Sequence, residues 1–403
     1  MNTFIHATLN VVFAILIILI LGCLVIVIIK SLIILGQFLL NKKNQINGRG
    51  LFKTFIKMIV FMVLILCVVG VSQWSAFTPR IEGENSISEL REVEFNGRKQ
   101  WVSIRGENKD APILLFLAGG PGGSQLAAVR YEMPELEKEF VVVGWDQPGS
   151  AKSYGSRKDL KPSNYVEDGI ALTDYLRDRF NQEKIYIVGE SWGSYLGIMM
   201  ADNEPQKFYG IINTGQMVNF LETEVIDYTK ALELSLEKGD TEKTARLIKI
   251  GKPPYYGVDV TWRSAEYLNY LTEEMNQNPE INNPGYETIR DILSPEYGIL
   301  DKFNYLLGIL NTFNDVYQQL YEVDIRETQS KLEVPIKFLI GRHDLNAPTS
   351  LAKAYFDLLE APLKEFIWFE HSGHSPWINE SAAFVDEVIK SKEAWHDLNS
   401  LSQ

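Results

Sequence analysis

Ser191 lies in the pentapeptide Gly189-Glu190-Ser191-Trp192-Gly193, directly after the apolar run Ile185-Tyr186-Ile187-Val188 and before a stretch of helical character. A buried strand, a sharp turn and a helix in that order require small residues beside the serine and lift its hydroxyl clear of the chain. The bland alternative, a tight turn with a solvent-facing serine, leaves the flanking strand and helix without a purpose. A serine hydroxyl is a weak nucleophile at neutral pH and needs a base within hydrogen-bond reach. Of five histidines, His6 belongs to the apolar N-terminal region and His396 to the terminal helical region, which leaves His343, His371 and His374. Gly373 permits the turn that would aim His374 back at the serine, whereas His371 ends an apolar run and is the weaker choice. Ser194, one turn into the helix, is expected to pack or to hydrogen-bond locally.

A histidine base needs an acid that fixes its tautomer and stabilises the imidazolium. The segment Val334-Pro335-Ile336-Lys337-Phe338-Leu339-Ile340-Gly341 runs into Arg342-His343-Asp344, which offers Asp344 at the end of an apolar strand, with His343 shaping the turn. An Asp that merely caps the next helix is a role better suited to Asn346 or Thr349. Asp146 follows a different apolar run and belongs to a separate motif. Acyl transfer further needs donors for a developing oxyanion. Ala118-Gly119-Gly120-Pro121-Gly122-Gly123 follows the run Pro112–Leu117, and glycines there let backbone N–H groups approach a substrate oxygen. Gly120 and Trp192 are the expected oxyanion donors. No Gly-Lys-Ser/Thr follows, so a phosphate loop is excluded.

Five motifs stand in order between residues 112 and 380: Ala-Gly-Gly-Pro-Gly-Gly-Ser, Trp145–Ser153, Gly189–Ser194, Gly341–Asp344 and Ser372–Ser375. Together they resemble the proline iminopeptidase branch of the α/β-hydrolases. The resemblance implies a Ser191, Asp344, His374 triad, an oxyanion hole near Gly120 and Trp192, and no metal or other cofactor. Ala118 stands where the family usually has histidine, and Pro148 where it usually has arginine. Both changes bear on pocket shape rather than on the triad, so prolyl specificity is not implied.

The elements that must position these residues are legible from the alternation of apolar runs and amphipathic stretches, which indicates a mostly parallel central sheet with helices on both faces, an α/β class. Strands are expected at 89–95, 99–105, 112–117, 139–145, 185–189, 210–214, 335–340 and 365–369, with helices at 166–180, 192–203, 350–359 and 380–395. Residues 217–330 break the alternation and read as a helical cap inserted into a core of 81–216 and 331–403.

Ahead of the core, residues 1–80 read as a membrane anchor with two transmembrane helices, at about 9–36 and 56–76, since about 20 apolar residues span a bilayer. A cleaved signal peptide fits less well, because the first run lacks a charged start and a second apolar run follows. Six of the 39 Lys and Arg residues, and none of the 52 Asp and Glu, fall in the first 75 positions. Five of the six sit in the 41–57 connection, which the positive-inside bias makes cytoplasmic, so the catalytic part faces the extracytoplasmic side of a multi-pass cell-membrane protein. The acidic remainder argues against nucleic acid as a partner. Cys23 and Cys67 both lie in the apolar region, so the globular part can form neither a disulfide nor a cysteine metal site.

These readings converge on a membrane-anchored serine hydrolase acting on a small peptide or acyl substrate. An aminopeptidase of the proline iminopeptidase type leads, and the alternatives are a carboxylesterase or lipase and a non-catalytic membrane binding protein. An aminopeptidase needs a carboxylate for the substrate's cationic N-terminus. The resemblance implies that the cap supplies it; Glu222, Glu224 and Glu266 are the candidates, though each alone is more ordinarily a solvated helix residue.

Overall fold

A computed structural model of the chain describes residues 3–40, 48–283 and 285–401. They divide into two compact units, residues 1–77 with 295–302, and residues 78–294 with 303–403.

The first unit contains α1 (Thr3–Leu39) and α2 (Gly48–Trp74), both long and apolar enough to cross a membrane. Each is longer than the expected span. α2 starts at Gly48, so Arg49, Lys53 and Lys57 lie in its first turns rather than in a loop; residues 41–47, with Lys42 and Lys43, lie outside the described residues. Recurrence of apolar Leu51, Phe52, Phe55 and Ile56 at helical spacing explains the extension. Where α2 ends, Ser72 Oγ accepts from Ile299 N–H at 3.1 Å and Gln73 Nε2 donates to Asp301 at 3.0 Å.

The second unit is built on an eight-stranded sheet: β1 (Ile87–Phe95), β2 (Arg98–Gly106), β3 (Ile113–Leu117), β4 (Val141–Asp146), β5 (Ile185–Glu190), β6 (Phe208–Thr214), β7 (Ile336–Gly341) and β8 (Lys364–Phe369). Their order is β1-β2-β4-β3-β5-β6-β7-β8; the two pairings of β2 are antiparallel and the rest parallel. The central strands are buried on both sides, which is why they read as unbroken apolar runs. Side chains still alternate between two cores, as the strand period requires. Leu115, Leu117, Ile185 and Ile187 join the core that contains α5 (Pro162–Phe180) and α6 (Trp192–Asn203). Leu114, Phe116, Tyr186 and Val188 join the opposite core, with α3 (Leu126–Glu132), α4 (Leu136–Glu139) and α16 (Ser381–Leu401).

Between β6 and β7 the chain is helical, without a strand among the described residues: α7 (Phe220–Glu237), α8 (Thr241–Ile250), α9 (Val260–Gln277), α10 (Thr288–Ile292), α11 (Ile299–Leu307), α12 (Phe313–Tyr317) and α13 (Ile325–Thr328). α14 (Thr349–Leu358) follows β7, and α15 (Pro376–Asn379) follows β8. The short helices α3, α4 and α15 escaped the sequence reading because fewer than two turns leave too little periodicity to detect.

Candidate active site

Ser191 occupies the turn between β5 and α6 with φ 53° and ψ −122°, a backbone conformation that side chains rarely adopt and that is retained where the surroundings over-determine it. Its N–H donates to the Thr214 carbonyl at 3.0 Å, which ties the turn to β6. A Cβ on Gly193 would stand 2.0 Å from the Leu117 carbonyl oxygen, so only glycine lets α6 pass this close to β3. Ser194 donates to the Ser191 carbonyl at 2.6 Å, the local hydrogen-bonding role expected of it.

His374 follows β8 and Asp344 follows β7. The imidazole Nδ1 lies 3.0 Å from both Asp344 carboxylate oxygens, and Asp344 also accepts from the N–H groups of Asn346 (2.8 Å) and Ala347 (2.9 Å). These bonds orient the acid, and the acid orients the ring. Burial opposes a charge on His374, but the Asp344 carboxylate, its hydrogen bond and the Glu190 charge outweigh it and lift the imidazole to about 9. Room for the ring comes from Gly215, at φ +52°, where a Cβ would lie 2.7 Å from the imidazole. His371 faces outward instead: it is exposed, its Nδ1 lies 3.0 Å from the Glu280 carbonyl, and its N–H donates to Glu380. His343 lies 3.1 Å from the Glu370 carbonyl, at the turn it was expected to shape.

Two cavities meet at Ser191 and His374. One, of about 360 Å³, is lined by Gly119, Gly120, Gln125, Tyr305, Ile309 and Phe313 among others. The other, of about 130 Å³, is bounded by Gly120 and Trp192 on the sheet side and by Phe220, Glu224, Asp227 and Tyr317 from the helical insertion. The Trp192 ring is fixed by donation to Gln147 at 2.8 Å, and Gln147 in turn donates to the Ala118 carbonyl at 3.1 Å. The motif around Asp146 therefore braces the glycine-rich loop against the elbow.

Of the three insertion glutamates singled out from sequence, the structure brings one to this cavity. Glu224 is buried, accepts from Ser264 Oγ at 2.9 Å and from the Tyr267 hydroxyl, and leaves Oε1 without a partner of hydrogen-bond geometry, although the Tyr317 hydroxyl stands near enough to favour its charge. Burial nonetheless pushes its carboxyl up to about 7. Glu222 is instead drawn to Arg326 at 2.5 Å, and Glu266 lies 3.5 Å from both Lys243 and Arg246; neither lines either cavity. Their guanidinium and ammonium partners hold them at the solvent face of their helices.

Sequence reasoning missed Asp227. It is 1% exposed, neither carboxylate oxygen has a hydrogen-bond partner among the described residues, and burial with the charges of Glu224 and Asp344 raises it well above the usual carboxylate range. The spacing from Glu224, three residues on one helix, puts both acids on one face and was the available signal. Glu190 and Gly215 were also missed.

The match to the α/β-hydrolase fold family runs over residues 112–238. A probable aminopeptidase, YbaC, of Bacillus subtilis (strain 168) is 30% identical over 331 residues, which cover 79% of this chain and 100% of the relative. The chain belongs to the proline iminopeptidase-like α/β-hydrolases. A proline iminopeptidase of Lactobacillus helveticus (strain DPC 4571) is likewise 30% identical, over 76% of this hydrolase and 96% of the relative. Among solved structures, the proline iminopeptidase of Mycobacterium smegmatis overlays with a TM-score of 0.55 at 17% identity, covering 78% of this hydrolase and 100% of that chain. A proline iminopeptidase-related protein of Thermus thermophilus does so with 0.53 at 20%, covering 77% and 98%. At these identities the overlays speak for the shared fold of the hydrolase.

Proposed function

We propose that this hydrolase is a membrane-anchored serine aminopeptidase that removes a residue from the free N-terminus of a small peptide. The observation that carries the reading is the pair of buried, incompletely partnered carboxylates, Glu224 and Asp227, in a cavity that also holds Ser191 and His374. Buried acids without partners are costly, and a cationic amine supplies what they lack. The substrate's ammonium enters this small cavity, and its scissile carbonyl then lies against Ser191. Residues beyond the scissile bond extend into the larger, mainly apolar cavity.

With Nδ1 engaged by Asp344, Nε2 of His374 is left to accept the Ser191 proton as Oγ attacks the carbonyl. Backbone N–H groups of Gly120 and Trp192 receive the developing oxyanion. His374 passes the proton to the leaving amine, an acyl-enzyme forms, and water deacylates it by the reverse sequence. The length and apolarity of α1 and α2 support an anchor in the membrane, and the positive-inside bias of Lys42, Lys43, Arg49, Lys53 and Lys57 supports a catalytic part on the extracytoplasmic side.

The test is a paired substrate panel on the full chain in detergent or nanodiscs. Glu224→Gln is expected to lower kcat/KM for aminoacyl amides by at least about tenfold while sparing a simple acyl ester. Cleavage of N-terminally blocked peptides as readily as free ones by the unaltered enzyme would replace the aminopeptidase with an esterase or lipase. Absence of labelling by a fluorophosphonate would leave only a binding protein.

A further inference from the structure

The residue immediately before the nucleophile is a carboxylate with no part in the steps above. Glu190 is 1% exposed, yet among the described residues no cation is a hydrogen-bond partner to it. Four neutral donors hold it instead, and they come from three separate parts of the chain. Ser375 Oγ (2.5 Å) and Trp377 Nε1 (2.8 Å) belong to the segment that carries His374. The Gln125 side-chain amide comes from the glycine-rich loop, whose Gly119 N–H donates back to Gln125 Oε1 at 3.3 Å. The Tyr286 hydroxyl, 2.6 Å from both carboxylate oxygens, comes from the helical insertion. Burial and the Glu190 charge raise the Tyr286 phenol well above its ordinary range, so it stays protonated as a donor.

We propose that Glu190 is a positioning residue for the reaction, a single anionic hub that sets the histidine loop and the glycine-rich loop in register with Ser191. The proposal rests on the serine hydrolase reading above. Its physical basis is that a buried carboxylate is tolerated only if its donors stay in place. Each donor is therefore held as firmly as it holds the acid, and the carboxylate joins three segments that no strand pairing links; the insertion and the histidine loop are also tied by Asn282 N–H donating to the His371 carbonyl at 2.9 Å. Tyr286 makes the helical insertion part of that unit, so opening the insertion would loosen the same carboxylate that steadies the base. The titratable groups around His374 are Asp344 after β7, Glu190 on β5, Glu224 and Asp227 on α7, and Tyr286, Tyr305 and Tyr317; among the described residues no Lys or Arg lines either cavity. Removing one negative charge from this set must lower the proton affinity of the imidazole.

The experiment compares Glu190→Gln and Ser375→Ala with the unaltered full chain, using a simple acyl ester that does not need the amine site. Glu190→Gln keeps the shape of the side chain and an acceptor for Trp377 but loses the charge. It is expected to reduce kcat by about tenfold or more with KM little changed, to slow fluorophosphonate labelling in proportion, and to move the acid limb of kcat/KM to lower pH. Ser375→Ala, which removes one donor, is expected to reduce kcat several-fold with the limb nearly in place. Unchanged kcat in both variants, or a loss of activity in Glu190→Gln that accompanies a lower Tm with the limb unmoved, overturns the proposal. If Glu190→Gln does not fold, the kcat of Ser375→Ala decides. Ser191→Ala separates the two levels of inference: persistence of hydrolysis in that variant would remove the serine reading itself, whereas its loss alongside a fully active Glu190→Gln would remove only the role given to Glu190.

Discussion

At the scale of single residues, the proposed base, His374, is set apart from its neighbour His371 by the partners each ring finds. His374 is held by Asp344 beside Ser191, while His371, three positions earlier, is exposed on the far side of the loop. His374→Ala is expected to reduce kcat by at least about a thousandfold and His371→Ala by less than about threefold, checked by steady-state kinetics on one substrate. The pH profile follows from the same geometry. An unperturbed histidine titrates near about 6.5, the value to be expected from sequence, but the carboxylates around His374 lift it to about 9. kcat/KM should therefore rise with pH through a limb well above 6.5, and a limb at or below 6.5 would contradict the Asp344 geometry. The sign for stability is opposite. A group whose folded value is raised favours the folded state below its unfolded value and loses that contribution as pH rises through the folded one. His374 does so between about 6.5 and about 9, and Glu224, raised from 4.5 to about 7, does so across that lower interval. Ionising buried Glu224 opposes folding by about 3 kcal/mol. Glu224→Gln should accordingly be at least as stable as the unaltered enzyme at about pH 8, by thermal denaturation, even as it loses activity on free amines.

At the scale of elements, the site depends on how closely three chain segments approach. β6 ends at Thr214, and Gly215 turns away with φ +52° so that the imidazole can lie against bare backbone. Gly215→Ala would put a methyl group into the ring and demand an unfavourable backbone conformation as well. A displacement of about 1 Å at the base is worth about a hundredfold in rate. The expected outcome is a folded protein, by circular dichroism, whose kcat falls by about that factor with KM for the ester nearly unchanged. α7 carries the second half of the site, since Glu224 and Asp227 occupy the buried face and Glu222 the outer one. Two residues, about half a turn of helix, thus separate a side chain that faces the cavity from one engaged in a surface ion pair.

At the scale of the whole molecule, two helices long and apolar enough to cross a membrane precede a hydrolase whose acidic residues all lie after position 75. Residues 41–57, of which 48–57 begin α2, should be shielded from protease added to intact cells, and the part after residue 80 should be cut; the reverse pattern would place the hydrolase in the cytoplasm. The amino-acid sequence by itself was sufficient for whatever is decided locally. Short, mainly apolar runs marked β3 to β7, because a strand buried on both faces admits little else, and the more polar edge strands β1, β2 and β8 were expected within two residues of where they lie. The elbow around Ser191 was legible because its glycines answer a contact made within a few residues. The order of Ser191, Asp344 and His374 was legible because each follows a strand. Tertiary structure alone decided the rest. Glu222, Glu224 and Glu266 are chemically alike in sequence, and only the packing of α7 and α9 buries one and leaves two to surface cations. Glu190 looked like an ordinary turn residue until folding brought Gln125, Tyr286, Ser375 and Trp377 around it from up to 187 positions away. Burial and hydrogen-bond satisfaction are properties of the space around a side chain, and that space is filled by residues whose distance along the chain carries no local signal.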